Sequence, residues 1–301
     1  MKLLKLAICL LLLGGLSASC TKEDHSDCYN TYRLALRYNG DGNDDIFSQK
    51  INSVDMYVFD VNSVCVSQAR LSQADIQAQE TVLPPLREGE YRIVCIGNAY
   101  NTKVQGLDSK NMNNMTFAAR SYLNGEKVSG NDSLYWSAIN YTIQPYSEYK
   151  MEETKTTYFS SSHYDILVEL VNTPAWAGTP KIELTGVSPF TDFENVAKGQ
   201  PADYVMEATD HGNGHFTAVN NIMRHSNHDE VYLKVTGEDG RILALINFAE
   251  HIEKYNDYID PSLNECLIPF RLEWDPTVSA EVVIGLPSWM VENVTPDFFK
   301  R

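Results

Sequence analysis

An all-β protein made of two successive antiparallel β-sandwiches is predicted by three observations. Apolar and polar side chains alternate with a period of two in one segment after another, the sign of half-buried strands. Gly, Asn and Asp turns separate those segments. Only residues 249–260, AEHIEKYNDYID, invite a short helix. The expected organisation is a signal peptide at 1–19, a tether at 20–30, an N-terminal sandwich at 31–158 and a C-terminal sandwich at 159–301.

The chain opens MKLLKLAICLLLLGGLSASC, with Lys2 and Lys5 ahead of an apolar run from Leu6 to Leu13 and small residues before Cys20. Basic start, apolar middle and small-residue end are the parts of a secretory signal, and the run is too short for a bilayer span of ~20 residues. A cysteine at the first mature position resembles a bacterial lipobox, with Leu16 displaced one place from its usual position. The resemblance implies that the Cys20 sulfur takes a diacylglycerol, and lipid on Cys20 is expected to hold the protein to the outer membrane. Lys22, Glu23 and Asp24 follow and resemble the export signal that sends lipoproteins of Bacteroides-type bacteria to the outer face of that membrane.

The 301 residues carry 24 Lys and Arg against 40 Asp and Glu, a net charge of −16 that falls further when Lys2 and Lys5 leave. Such a surface repels nucleic acid and anionic head groups, so no nucleic-acid partner is expected and the lipid rather than charge must hold the membrane. Several acyl chains anchor stably where one does not. Of six cysteines, Cys9 leaves with the signal and Cys20 is acylated. Cys28, Cys65, Cys95 and Cys266 remain, either paired in one of three connectivities or present as buried thiols acting as small hydrophobes.

Strands follow in order. In 32–38, Tyr32, Leu34, Leu36 and Tyr38 share a face. In 53–68, Val54, Met56 and Val58 share one face and Tyr57 and Phe59 the other, and Asn62-Ser63 turns the chain into a hairpin. REGEYRIVCIGNAY repeats the design with Tyr91, Ile93 and Cys95 against Val94 and Ile96. Apolar groups on both faces suit the middle of a sandwich. From Asn101 to about Ser161 periodicity is weak, loops with short strands are expected, and KMEETKTTYFSSS is the best linker candidate. Strands resume at 165–171, 180–187, 229–248 with a turn at Gly237–Gly240, 269–275 and 280–287.

His211, His215, His225 and His228 lie close in sequence, but no cysteine or placed acid completes a zinc or copper set, and a solvated loop is the expected setting. DGNDD at 41–45 starts like a calcium loop, yet the closing position is Asn52 instead of glutamate, so a turn is expected. No nucleophile elbow, phosphate-cradling loop or zinc-protease helix occurs. No catalytic residue, metal or cofactor is expected.

The lipobox, the strand after it, VDMYVFDVNSVCV, LREGEYRIVCIGN and the closing VVIGLPSWMVENV are together similar to the FimB-type fimbrial anchor lipoproteins of Bacteroides-type (type V) pili. The resemblance spans most of the mature chain. It implies transthyretin-like sandwiches and a non-enzymatic subunit that fixes a pilus base in the outer membrane and limits its length. It also implies fimbrillin shaft subunits as partners, joined by strand complementation, in which a strand of one subunit fills a groove of the next. Shaft subunits open that groove when an arginine-directed protease removes the first strand, and Arg33 and Arg37 lie in that strand here. The alternatives are a pilus tip or accessory subunit, a surface glycan-binding lipoprotein using Tyr135, Trp136, Tyr141, Tyr146 and Tyr149, and a secreted hydrolase.

Overall fold

The computed structural model describes residues 30–145, 151–275 and 281–291. Cys20, Lys22, Glu23, Asp24 and Cys28 lie outside the described residues. The first strands are β1 (Thr31–Arg37), β2 (Val54–Asp60), β3 (Cys65–Arg70), β4 (Glu80–Val82) and β5 (Gly89–Gly97). Then come β6 (Thr102–Gln105), β7 (Thr116–Ala119), β8 (Tyr135–Ile143), β9 (Glu152–Tyr158) and β10 (Ser160–Ser161). The second half holds β11 (His163–Val171), β12 (Lys181–Val187), β13 (Phe190–Asp192), β14 (Ala197–Lys198), β15 (Ala202–Met206) and β16 (Thr209–Asp210). It ends with β17 (Phe216–Met223), β18 (Tyr232–Thr236), β19 (Ile242–Asn247), β20 (Leu267–Trp274) and β21 (Val282–Gly285). Short helices are α1 (Phe47–Lys50), α2 (Gln73–Ala78), α3 (Arg120–Leu123), α4 (Phe248–Lys254) and α5 (Ser288–Val291).

Two sandwiches form in tandem, as the sequence predicts. In the first, the sheet β4-β1-β9 packs on β10-β8-β5-β2-β3, and Leu34, Leu36, Val58 and Ile93 fill the space between them. In the second, β16-β17-β11-β20-β21 packs on β15-β12-β18-β19 around Ile166, Leu184, Leu233 and Phe270. Among the described residues, neighbouring strands run antiparallel except for two pairs, β1 with β9 and β11 with β20.

Local chemistry sets the turns. Asp60 Oδ1 accepts from the amides of Asn62 and Val64, closing the β2–β3 hairpin at the expected place. Gly240 takes a φ of +83° in the β18–β19 turn, a conformation open to glycine. Asn247 caps α4 by accepting from the Glu250 amide, which sets the start of the helix expected there.

The two-faced strands hold as expected, and the structure supplies what covers their second face. Val54, Met56 and Val58 of β2 join the first core, whereas Tyr57 and Phe59 join a different one with Val94, Ile96, Phe117 and Phe193. That third core lies under a fifth sheet, β14-β13-β7-β6, whose strands come from both halves of the chain. β7 meets β13 in antiparallel register, with Phe190 opposite Ala118 and Asp192 opposite Thr116. A single sheet thus stitches the two sandwiches together.

Of the linker expected at 150–162, Glu152–Tyr158 and Ser160–Ser161 are instead strand. β9 pairs in parallel with the whole of β1, from Thr31 opposite Glu152 to Arg37 opposite Tyr158. Of its side chains only Thr157 is buried, so main-chain pairing rather than burial makes it a strand and no apolar period marks it.

Val58 is fully buried between the first two sheets. Val58→Asp is expected to unfold the N-terminal sandwich, because an unpaired carboxylate there costs several kcal/mol against a stability of about 5–15 kcal/mol. Thermal denaturation checks it; a variant melting like the parent would mean that the faces of β2 are misassigned.

Candidate functional site

The chemistry-bearing clusters of the sequence separate in space. His211 and His215 stack at 4.9 Å in the exposed hairpin between β16 and β17, where a solvated loop was expected. His225 and His228 depart from that expectation. Their rings lie 5.0 Å apart against Phe248, and His225 is buried. Burial and the neighbouring His228 push the His225 pKa down to about 4, and burial lowers His228 as well. No group of three or more potential metal ligands occurs among the described residues.

The DGNDD segment is the turn it was expected to be. Two of its three carboxylates are spent on the protein: Asp41 accepts from the amides of Asn264 and Glu265, and Asp45 from those of Tyr38 and Phe47. Glu265 also takes the Tyr38 hydroxyl and the Lys50 ammonium. The turn is thereby a second clasp between the halves of the chain.

Of the three described rings assigned to a glycan surface, two are internal. Tyr135 and Tyr141 are buried, and the Tyr141 hydroxyl donates to the carbonyls of Arg33 and Glu153. Half-buried Trp136 donates its indole N–H to the Phe193 carbonyl at 3.1 Å. Tyr146 and Tyr149 lie outside the described residues. Cys65, Cys95 and Cys266 are free thiols, and burial pushes Cys95 and Cys266 up to about 12. They act as small core hydrophobes and not as nucleophiles.

The site with binding chemistry is the slot that β1 occupies. β1 is bonded on one side to β4, antiparallel, and on the other to β9, parallel, and among the described residues no other strand joins those two. Tyr32, Leu34 and Leu36 point into the first core and are almost fully buried. On the outer face Arg33 pairs with Glu80 at 3.2 Å, and Arg37 donates to the Gln79 side chain and lies 3.5 Å from Asp45. Both arginine side chains keep a little over a third of their surface in solvent, at 38% and 37%. Main-chain bonds on two sides and pockets for alternate side chains are what hold one extended strand, of about 23 Å for seven residues. The β1 half of this slot was legible in the sequence; β9 was not, since its polar side chains carry no burial period.

The family model of the fimbrillin-A associated anchor proteins Mfa1 and Mfa2 matches residues 24–295. The fold is similar to that of the fimbrial anchor protein Mfa2 from Porphyromonas gingivalis, at 14% identity and a TM-score of 0.65 over 85% of this chain and 95% of that one. A candidate adhesin from Bacteroides ovatus is similar at 14% identity and a TM-score of 0.69, over 87% of this chain and 94% of that one. A candidate polysaccharide-binding protein from Bacteroides thetaiotaomicron is similar at 12% identity and a TM-score of 0.67, over 85% and 96%. No curated protein is significantly similar in sequence. With the match running through both sandwiches and the sheet that joins them, the chain belongs to the family of fimbrillin-A associated anchor proteins.

Proposed function

We propose that this protein is the anchor at the base of a fimbria, fixed in the outer membrane by lipid on Cys20 and joined to fimbrillin shaft subunits by strand complementation. The observation that carries this reading is the place of β1. It follows directly on the tether from Cys20 and sits between β4 and β9 with its apolar side chains in the core. Removing it would open a groove but would also cut the protein from its lipid. An anchor must therefore keep its first strand, and a subunit whose slot stays filled cannot accept another donor strand there. Attachment and termination of the fibre follow from the same strand.

Lys22, Glu23 and Asp24 are read as the address for the outer face. No described helix is long and apolar enough to cross a membrane. The role is structural and not enzymatic. Against a glycan-binding reading, two of its five rings, Tyr135 and Tyr141, are core.

Cys20→Ala is expected to abolish acylation, because the thiol is the acceptor, and to leave an uncleaved precursor or a soluble form. Metabolic labelling with a fatty-acid analogue reads it, and label retained by the variant would overturn the lipid anchor. Protease shaving of whole cells carrying Lys22, Glu23 and Asp24 replaced by alanine reads the address separately: lipidated but protected protein is expected, and unchanged accessibility would refute it.

A further inference from the structure

A cleft of about 480 Å³ opens at the end of the N-terminal sandwich from which the tether leaves. Among the described residues its apolar wall is Tyr32, Leu83, Pro84, Pro85, Leu86 and Ile143. Tyr32, Leu83 and Ile143 belong to the first core and Leu86 packs against it, so the cleft is a gap into the sandwich interior between its two sheets. The exposed Arg87 and Glu88 also line it, whereas several other polar groups of the wall are already paired. The Tyr32 hydroxyl accepts from the Gln144 amide at 2.9 Å, the Leu83 amide donates to the Tyr32 carbonyl at 2.8 Å, and the Asn30 side chain accepts from the Met151 amide at 3.0 Å. What remains open to a ligand is largely carbon. The volume falls within the range of about 300–1,000 Å³ common for small-ligand sites.

The chain itself carries matching chemistry close by. Asn30, in the cleft wall, stands ten positions after Cys20, and a stretch of that length reaches at most about 36 Å. A group on Cys20 is thus held near the opening at an effective concentration of order mM.

We propose that this cleft binds one long acyl chain and that its occupant is a chain of the lipid on the protein's own Cys20. The proposal rests on the lipidation of Cys20 put forward above. In a bilayer the hydrocarbon competes and the chain stays in the membrane. Off the bilayer the cleft removes one chain from water, which lowers the cost of moving the lipoprotein between membranes.

The test uses the full mature protein carrying Cys20→Ala and, as probe, a fluorescent C18 polyene fatty acid. Saturable one-to-one binding is expected, displaced by palmitate and not by octanoate. Leu86→Lys should weaken it at least tenfold without a change in Tm. Should Leu86→Lys lower the Tm, Val82→Lys at an exposed lining position gives the same reading. No saturable binding, or equal binding by parent and both variants, overturns the site. The occupant is read separately: acylated protein diluted out of detergent should exclude the probe that Cys20→Ala protein takes up. Equal uptake by the two overturns the own-lipid assignment, while absence of metabolic label on wild-type Cys20 overturns the lipidation on which it rests and leaves the site itself decided by the Cys20→Ala measurement.

Discussion

Phe193→Ala is expected to lower stability by about 3–5 kcal/mol, the usual cost of emptying a buried phenylalanine site. Phe193 is 1% exposed and comes from the turn after β13, yet it plugs the outer face of the N-terminal sandwich. Tyr57, Phe59 and Phe117 surround it edge-on, with ring centroids at 5.1, 5.6 and 6.0 Å. Such pairs add to the area they bury. The Arg92–Glu194 ion pair beside it is partly exposed and contributes little. Because this core is shared by both halves, its loss should also uncouple them. Calorimetry of the parent should give one transition, and of the variant two, the lower one well below the parent. A single transition at the parental temperature would show that the sandwiches do not depend on this contact.

Acidification is expected to destabilise the C-terminal sandwich. Burial is the main cause that lowers both His225 and His251 to about 4; the charge of His228 adds to the first and that of Lys254 to the second. His251 stacks on Phe270 at 4.1 Å and its Nε2 lies 2.8 Å from the Pro269 carbonyl, so it is held as a neutral ring in the core. The unfolded chain binds a proton on each ring near 6.5, the folded chain only near 4. Stability is therefore full above about pH 6.5 and falls as pH drops from there towards 4. A displacement of that size corresponds to about 3 kcal/mol for each ring. Urea denaturation at pH 7.5 and pH 5 reads the difference, and His225→Phe should flatten the slope. Equal midpoints at the two pH values would contradict the buried, neutral assignment.

Strands with a buried face announced themselves in the sequence. VDMYVFD declared two apolar faces, and both are covered. What covers the second face was hidden, since PFTDFEN has no period and its partner β7 is four residues long. Short strands brought together from distant parts of the chain leave almost no local signal; their pairing is set by packing. β9 failed to show for the opposite reason, being held by backbone bonds with little burial. The histidines illustrate a third limit. HGNGH and HSNHD look alike in composition, but the second pair follows β17 into the space beside Phe248 and Tyr164, and only the tertiary contacts reveal it. The proposed lipid and export residues were legible as motifs alone, and they precede the described chain.

A deletion strain tests the proposed role at the base of a fibre. Shaft subunits that carry their own grooves and strands should still polymerise without it. Fibres shed into the medium, longer than normal, are the expected result, because attachment and termination are lost together. A tip subunit predicts fewer fibres that remain on the cell, and a glycan receptor predicts no change. Quantifying shed against cell-bound fimbriae, with their lengths, decides among them: fibres that stay on the cell at normal length would contradict the anchor.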